Sequence, residues 1–209
     1  MKSWSSANLV MGILMLVLMT AGCTSAELGD PLGSEGVFQG VELPEPSPKP
    51  SFVLTDTAGD PYDFAAATDG KLTLLYFGYT FCPDICPVHL AQITSVLDRN
   101  PPLRENTEVV FVSVDPERDS PEVIREYLNG FSEDYVGLTG STEELRTAEE
   151  ALGVPPAIIG DTSDPDYLVG HTAQVFAWAP DGLGYTIYPF GTRQSQWAHD
   201  LEILAGMGS

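Results

Sequence analysis

Two cysteines four residues apart, Cys82 and Cys86, are the most reactive pair of side chains in this sequence. An apolar run precedes them and a helical pattern follows. Residues four apart on a helix rise about 6 Å and face the same side, so two thiols there could converge on one ion. The same separation suits a disulfide. The spacing therefore leaves four possibilities open: a metal site, a disulfide, a redox couple or an inert packed pair.

The position of the pair at a helix start favours thiolate chemistry. The positive end of the helix dipole lowers thiol pKa values, and the thiolate is both the nucleophile and the soft-metal ligand. Pro83 and Pro87 stiffen the loop by removing backbone donors. Two thiolates are too few for a closed structural zinc site, which takes four ligands. With one imidazole they suit Cu(I) or, with more distortion, Cu(II).

The sequence offers two histidines as a third ligand. His89 lies three residues after Cys86 and could share its helix face, although a histidine there is more often an ordinary surface residue. His171 is distant in sequence, at the start of a later strand, where a lone histidine is more often structural. His199 is expected at the surface, on the polar side of the last helix. The residues alone leave the third ligand open.

Buried strands and capped helices are predicted around the cysteines. The apolar run Lys71–Gly78 ends directly before them, and Val109–Asp115 is a second buried strand. The other predicted elements are a hairpin over 51–64, helices over 86–100, 120–131, 141–153 and 194–204, a short strand over 136–138, and a strand pair over 172–188. Their order predicts an α/β fold with a mixed central sheet, flanking helices and an N-terminal hairpin. Its strand, cysteine loop, helix and strand are typical of a thioredoxin-like fold.

Charge restricts the partners. The chain has 30 acidic and 9 basic residues, a formal net charge of −21. Such a surface repels phosphate backbones, which argues against nucleic-acid binding. The hydrophobic content of 43% is enough to build a sizeable core in residues 51–209, the predicted domain.

Residues 1–23 have the pattern of an export signal. Lys2 precedes the apolar run Leu9–Met19, which is short for a membrane span. Small residues immediately before Cys23 resemble the lipobox of bacterial lipoproteins, in which that cysteine is lipidated, although Thr20 stands where leucine is usual. The alternative is a plain secretory signal cleaved nearby. We expect an extracytoplasmic protein anchored to the bacterial cell membrane through Cys23, with Cys82 and Cys86 as its remaining thiol pair.

Residues 24–50 are predicted to form a proline-rich tether between the anchor and the domain. Alternating prolines favour extended polyproline II over helix. Phe38, Val41 and Leu43 have the spacing of a short edge strand near its end.

Three ordered blocks resemble the SCO/SenC proteins. Residues 80–87 are similar to the family's TxCPDxCP signature, and residues 113–121 to its SVDPERDTP block. His171-Thr172, followed by a strand and the turn Pro180-Asp181-Gly182, resembles its third block. One departure is Gly170, where the family usually has Asp before the histidine, so a carboxylate that would orient His171 is lost.

The resemblance implies a thioredoxin-like, membrane-anchored assembly factor that binds copper and helps mature the binuclear copper centre of cytochrome c oxidase. Carried over by position, the implied copper ligands are Cys82, Cys86 and His171. Asp115 and Asp119 match acidic positions of the second block, where they are expected to assist. The implied partner is the copper-bearing subunit of the oxidase or another copper carrier.

Two enzymatic readings compete with the chaperone. A thiol–disulfide oxidoreductase that reduces the cysteines of a copper-site apoprotein would use Cys82 and Cys86 as its redox pair, although the spacing is Cys-x-x-x-Cys and the histidine block is then unexplained. A peroxidase of peroxiredoxin type fits poorly, because aligning its motif on Cys82 puts Leu75 at the proline position and Tyr79 at the hydroxyl position. The sequence favours a chaperone over an enzyme.

Overall fold

The computed structural model describes residues 36–208. The predicted export signal, Cys23 and the first part of the predicted tether lie outside the described residues. Every helix within the described range is too short or too polar to cross a bilayer.

An eight-stranded mixed sheet forms the centre of the domain, in the order β1-β10-β9-β4-β5-β6-β2-β3. A separate pair, β7 and β8, lies outside it. The strands are β1 Val41–Pro48, β2 Val53–Asp56, β3 Pro61–Asp63, β4 Leu72–Gly78, β5 Thr107–Ser113, β6 Val136–Thr139, β7 Ile158–Ile159, β8 Val169–Gly170, β9 Val175–Trp178 and β10 Leu183–Tyr188. The helices are α1 Phe64–Ala67, α2 Ile85–Asp98, α3 Pro101–Glu105, α4 Pro121–Asn129, α5 Thr142–Ala151 and α6 Gln194–Ala205.

The parallel strands β4, β5 and β6 set the position of the site. All seven residues of β4 are buried, as their largely apolar sequence predicts. β4 and β5 run in register from Leu72 opposite Thr107 to Gly78 opposite Ser113. Because the two strands are parallel, their carboxyl ends share one edge of the sheet. The segment that carries the cysteines and the second sequence block therefore leave the sheet side by side.

Helix caps fix where the chain turns back. Ser120 caps α4 and precedes a proline at the first helical position. Ser141 and Glu144 form the expected capping box at the start of α5. Asp84 caps α2 by accepting a hydrogen bond from the Ile85 backbone N–H.

The predicted boundary between tether and domain at residue 51 is too late. β1 lies inside the stretch assigned to the tether and pairs with β10 at the edge of the sheet. The Asp200 carboxylate accepts hydrogen bonds from the backbone N–H groups of Gln39 and Gly40, and Phe38 is buried. Prolines are tolerated there because an edge strand leaves part of its backbone unpaired.

The predicted α/β class and thioredoxin-like layout are confirmed, with a mixed central sheet, flanking helices and the β2–β3 hairpin. The predicted turn connects β9 to β10, and Gly182 within it has a φ of 81°. Three small features were not predicted: α1, α3 and the β7–β8 pair. The last of these leads directly into His171.

Candidate metal centre

The two cysteines occupy different positions at the start of α2. Cys86 is the second residue of the helix, whereas Cys82 lies two residues before the cap Asp84. The expectation that both thiols sit on the first turn is therefore wrong for Cys82. The Cys82 sulfur nevertheless accepts a hydrogen bond from the Cys86 backbone N–H at 3.4 Å, so it still lies at the positive end of the helix.

The fold brings Cys82, Cys86 and His171 into one cluster, with ligand atoms all within 4.8 Å of one another. Both cysteines are buried free thiols, and His171 is half-buried. The Cys86 sulfur lies 3.7 Å from Nε2 of His171. Within residues 36–208 this is the one group of three or more candidate side chains close enough to hold an ion together.

Backbone geometry orients His171. Its Nδ1 lies 2.8 Å from the carbonyl oxygen of Thr172. Since a carbonyl can only accept, Nδ1 carries the proton and Nε2 presents its lone pair toward the sulfurs. The Thr172 carbonyl thus accepts the hydrogen bond from the ring N–H that a neighbouring carboxylate often accepts in metal sites. Gly170 has no side chain that could take this role.

The two thiols differ sharply in acidity. A hydrogen bond from the Cys86 thiol lowers the pKa of Cys82, and hydrogen bonds from the backbone N–H groups of Cys86 and Asp84 act in the same direction. The pKa of Cys86 is raised, because it donates to Cys82 and is buried. The copper-free pair is therefore one thiolate and one thiol that share a proton.

Tyr76 and Gly78 shape the pocket under Cys86. The Tyr76 hydroxyl donates to the Cys86 sulfur at 3.4 Å. A Cβ on Gly78 would lie 3.0 Å from that sulfur and 2.7 Å from Cε2 of Phe111. Glycine is needed here because the sulfur packs directly against the backbone of β4.

Asp119 holds the cysteine-bearing segment to the sheet. It accepts hydrogen bonds from the Thr80 backbone N–H at 2.9 Å, the Thr80 hydroxyl at 2.6 Å and the Ser113 hydroxyl at 2.5 Å. Burial raises the pKa of Asp119. Its carboxylate is saturated by donors and stands outside the metal cluster.

Asp115 is likewise occupied. One of its oxygens accepts from Arg118 Nε at 2.6 Å, and the other accepts from the Tyr167 hydroxyl at 2.7 Å. Asp115 and Asp119 therefore assist by fixing the segments that carry the ligands. Sequence reasoning missed Arg118, Tyr167, Tyr76 and Gly78, although Arg118 stands within the second sequence block.

The expectation that His89 is an ordinary surface residue is wrong. Its side chain is buried, with Nε2 3.2 Å from the carbonyl oxygen of Ala173 and its ring against Tyr76 and Phe190. Burial lowers its pKa, so His89 is neutral near pH 7. It lies outside the cluster. His199 is exposed, as expected, and contacts Asp200.

Two sulfurs and one imidazole nitrogen form a soft, three-donor site. Such donors suit Cu(I), and a structural zinc site would require a fourth protein ligand. Both sulfurs are buried, whereas His171 is partly exposed, so the site meets solvent at the histidine. This arrangement can hold a soft ion without enclosing it.

Known proteins share this architecture. The SCO1/SenC family model matches residues 42–206. A protein from Danio rerio named "Protein SCO2 homolog, mitochondrial" is 41% identical over 135 residues, which is 63% of this chain and 48% of that relative. The chain thus spans about half the length of that protein. A "Putative copper-binding protein" from Stutzerimonas stutzeri is 33% identical over 67% of this chain and 68% of its own length.

Solved structures of Sco proteins are also similar to this chain. The structure of Bradyrhizobium japonicum ScoI with copper bound superposes with a TM-score of 0.67 at 33% identity, covering 76% of this chain and 99% of that one. The solution structure of apo Sco1 from Thermus thermophilus gives 0.71 at 35% identity, covering 82% and 99%.

Proposed function

This chain belongs to the SCO1/SenC family, and we propose that it is a membrane-anchored, extracytoplasmic copper chaperone. Copper is its cargo, bound by Cys82, Cys86 and His171. The observation that carries the proposal is the convergence of these three ligand atoms within 4.8 Å. The copper-bound and copper-binding relatives support the choice of metal.

The electrostatics of the site suit uptake and release. The Cys82 thiolate is available as the first ligand, because its pKa is lowered by the hydrogen bond from Cys86. Copper then replaces the shared proton as Cys86 becomes the second ligand. A site with three ligands and one accessible side can pass copper to an incoming thiolate or imidazole by ligand exchange.

The proposed recipient is the copper-bearing subunit of cytochrome c oxidase, or another copper carrier that serves it. The family resemblance supplies this role, and the soft ligand set is consistent with it. The proposed anchor is lipid on Cys23, which the sequence before that residue supports. Mass spectrometry of the N-terminal peptide from the membrane fraction tests the anchor, and an unmodified peptide beginning elsewhere would contradict it.

One observation favours a second function, reduction of a partner's disulfide. Cys82 is the more acidic thiol and Cys86 donates a hydrogen bond to it. In this reaction the Cys82 thiolate attacks one sulfur of the partner disulfide, breaks its S–S bond, releases the other sulfur as a thiolate and forms a mixed disulfide. Cys86 loses its proton, displaces the partner thiolate and closes a Cys82–Cys86 disulfide, so the partner gains the two electrons. Copper-free protein that reduces a disulfide with turnover would support this function.

An anaerobic Cu(I) titration of the reduced, detergent-solubilised full-length protein tests the chaperone. We expect one copper per chain and a large loss of affinity in His171→Ala. His199→Ala is the matched control, because His199 is exposed and lies outside the cluster. Tight binding retained by His171→Ala would overturn the three-ligand site.

A further inference from the structure

We propose that Arg118 is a positioning residue that clamps the two halves of the copper site together. Residues 79–84 are the cysteine loop, and residues 165–171 are the histidine segment. The proposal rests on the proposed function and adds a role that the ligands themselves do not fill. Arg118 contacts both segments, and no hydrogen bond or ring contact joins it to the side chains of Cys82, Cys86 or His171.

Asp115 fixes the base of the clamp. Arg118 Nε donates to its carboxylate at 2.6 Å, and the Asp115 side chain is fully buried. Only 13% of the Arg118 side chain is exposed, so this pair is largely desolvated. Removing one partner of such a pair leaves the other charge uncompensated.

Two contacts join Arg118 to the histidine segment. Nη1 donates to the Pro165 carbonyl oxygen at 3.2 Å. The guanidinium carbon lies 3.5 Å from the centre of the Tyr167 ring, and the Tyr167 hydroxyl donates a hydrogen bond to Asp115. This closed triangle of Arg118, Asp115 and Tyr167 holds the chain four residues before His171.

Two further ring contacts join Arg118 to the cysteine loop. The guanidinium lies 5.0 Å from the Phe81 ring centre and 5.7 Å from that of Tyr79. Phe81 is the neighbour of Cys82. Tyr79 also meets the His171 ring edge-on, with centroids 5.7 Å apart. One cation therefore lies among three aromatic rings drawn from both halves of the site.

The guanidinium group is specifically suited to this position. It is planar, stacks on aromatic faces and keeps its charge when buried. Its Nη2 has no hydrogen-bond acceptor within residues 36–208, so the contacts with the aromatic rings are the interactions that hold this end of the guanidinium group. A lysine could pair with Asp115, but it could not stack on the rings and reach Pro165 at the same time.

The clamp should matter for the histidine more than for the sulfurs. The Cys82 sulfur is held locally by the Cys86 backbone N–H, and Asp119 ties Thr80 to the sheet. His171 approaches the sulfurs from a segment 85 positions further along the chain. Loss of Arg118 should therefore weaken copper binding mainly by loosening His171.

A double-mutant cycle on the full-length protein tests this coupling. Cu(I) affinity, measured by competition with a chromophoric chelator, is compared for wild type, Arg118→Met, His171→Ala and the double variant. We expect Arg118→Met to lower affinity about tenfold when His171 is present and less than twofold when it is absent. Equal losses in the two backgrounds would overturn the proposal.

Arg125→Met is the structural control, because Arg125 bonds to the Tyr135 and Ser132 carbonyls and to Asn129. It should lower thermal stability while leaving affinity within twofold; an Arg125→Met loss as large as that of Arg118→Met would also overturn the clamp. If Arg118→Met fails to fold, Arg118→Lys enters the same cycle and is held to the same criterion.

A copper-free measurement separates this inference from the chaperone role. Proton–proton contacts between the His171 and Tyr79 rings, measured by nuclear magnetic resonance, should weaken in Arg118→Met and persist in Arg125→Met. Unchanged ring contacts in Arg118→Met would overturn the clamp even if copper binds. Failure of the wild type to bind copper would instead overturn the proposed function, and the ring contacts would still decide the role of Arg118.

Discussion

The sulfur of Cys86 lies 3.7 Å from Nε2 of His171, although 85 positions separate the two residues in the chain. Two different parts of the sheet produce this contact. The cysteines follow the central strand β4, whereas His171 follows the short strand β8, which pairs with β7 outside the main sheet. The site therefore depends on how the histidine segment is held as well as on the ligands.

Alkylation should reveal the unequal acidity of the two thiols. Because the pKa of Cys82 is lowered, its thiolate should persist as the pH falls from 8 to 6, where an ordinary thiol of pKa about 8.5 loses reactivity nearly tenfold per unit. We expect the rate at which iodoacetamide alkylates Cys82 to change little between pH 8 and pH 6. Mass spectrometry of the modified peptide measures this rate.

The control is Cys86→Ala, which removes the thiol that donates to Cys82. The pKa of Cys82 should then rise, and its alkylation should slow as the pH falls. A wild-type rate that drops tenfold per unit below pH 8 would contradict the shared-proton description.

Gly78→Ala should damage the fold and the site together. The new methyl would lie 2.7 Å from Phe111 and 3.0 Å from the Cys86 sulfur, closer than packed atoms tolerate. We expect a loss of about 1–3 kcal/mol in the free energy of unfolding, the usual cost of overpacking, measured by denaturant titration. Cu(I) affinity should fall as the sulfur is displaced.

Gly170→Ala is the matched control. Gly170 adjoins His171, its φ is not positive, and the nearest atom to an added Cβ is 3.7 Å away. It should change stability and affinity little. Equal damage from both substitutions would show that the close packing at Gly78 is not the cause.

His89→Ala should separate burial from ligation. His89 is buried against Tyr76 and Phe190, so its truncation should cost about 2 kcal/mol of stability. It lies outside the cluster, so the protein should still bind one copper per chain. Differential scanning calorimetry measures the stability, and anaerobic titration calorimetry measures the number of copper ions bound per chain. Loss of stoichiometric binding in a folded His89→Ala protein would reopen the choice of third ligand.

His89 and His171 show which features of the site can be predicted from the sequence and which cannot. Local patterns predicted the strand before the cysteines, the helix after them and the caps of α4 and α5, because each depends on neighbouring residues. The identity of the third ligand does not depend on neighbouring residues, and the spacing of the motif is compatible with either histidine. Resemblance to known sequence blocks selected His171, and the structure places it beside the sulfurs. The burial of His89 was missed because its contacts with Ala173 and Phe190 come from distant segments.

The same reasoning explains the missed supporting residues. The sequence identifies Asp115 and Asp119 as carboxylates near a copper motif. Two of their donors, Ser113 and Arg118, stand in the same block, but the other two, Thr80 and Tyr167, come from distant segments. Their role follows from these contacts and could not be derived from residue type. The alternating prolines predict a tether over 24–50 with a short edge strand from Phe38, Val41 and Leu43 near its end, whereas β1 begins at Val41 and extends to Pro48, because an edge strand accepts prolines.

Copper binding should release about one proton per ion near pH 7, because Cys82 is already a thiolate and Cys86 is the thiol that must ionise. Affinity should accordingly fall as the pH decreases, since protons compete for the Cys86 sulfur. Tyr76→Phe should lower the affinity at a given pH without changing the number of protons released, because the Tyr76 hydroxyl donates to the Cys86 sulfur and opposes the rise in the Cys86 pKa. Calorimetry in buffers of different ionisation enthalpy counts the protons released. Tyr185→Phe, whose hydroxyl bonds to Asp181, is the control and should match wild type. Release of two protons per copper would mean that both thiols are protonated in the resting site, and the asymmetry between Cys82 and Cys86 would have to be abandoned.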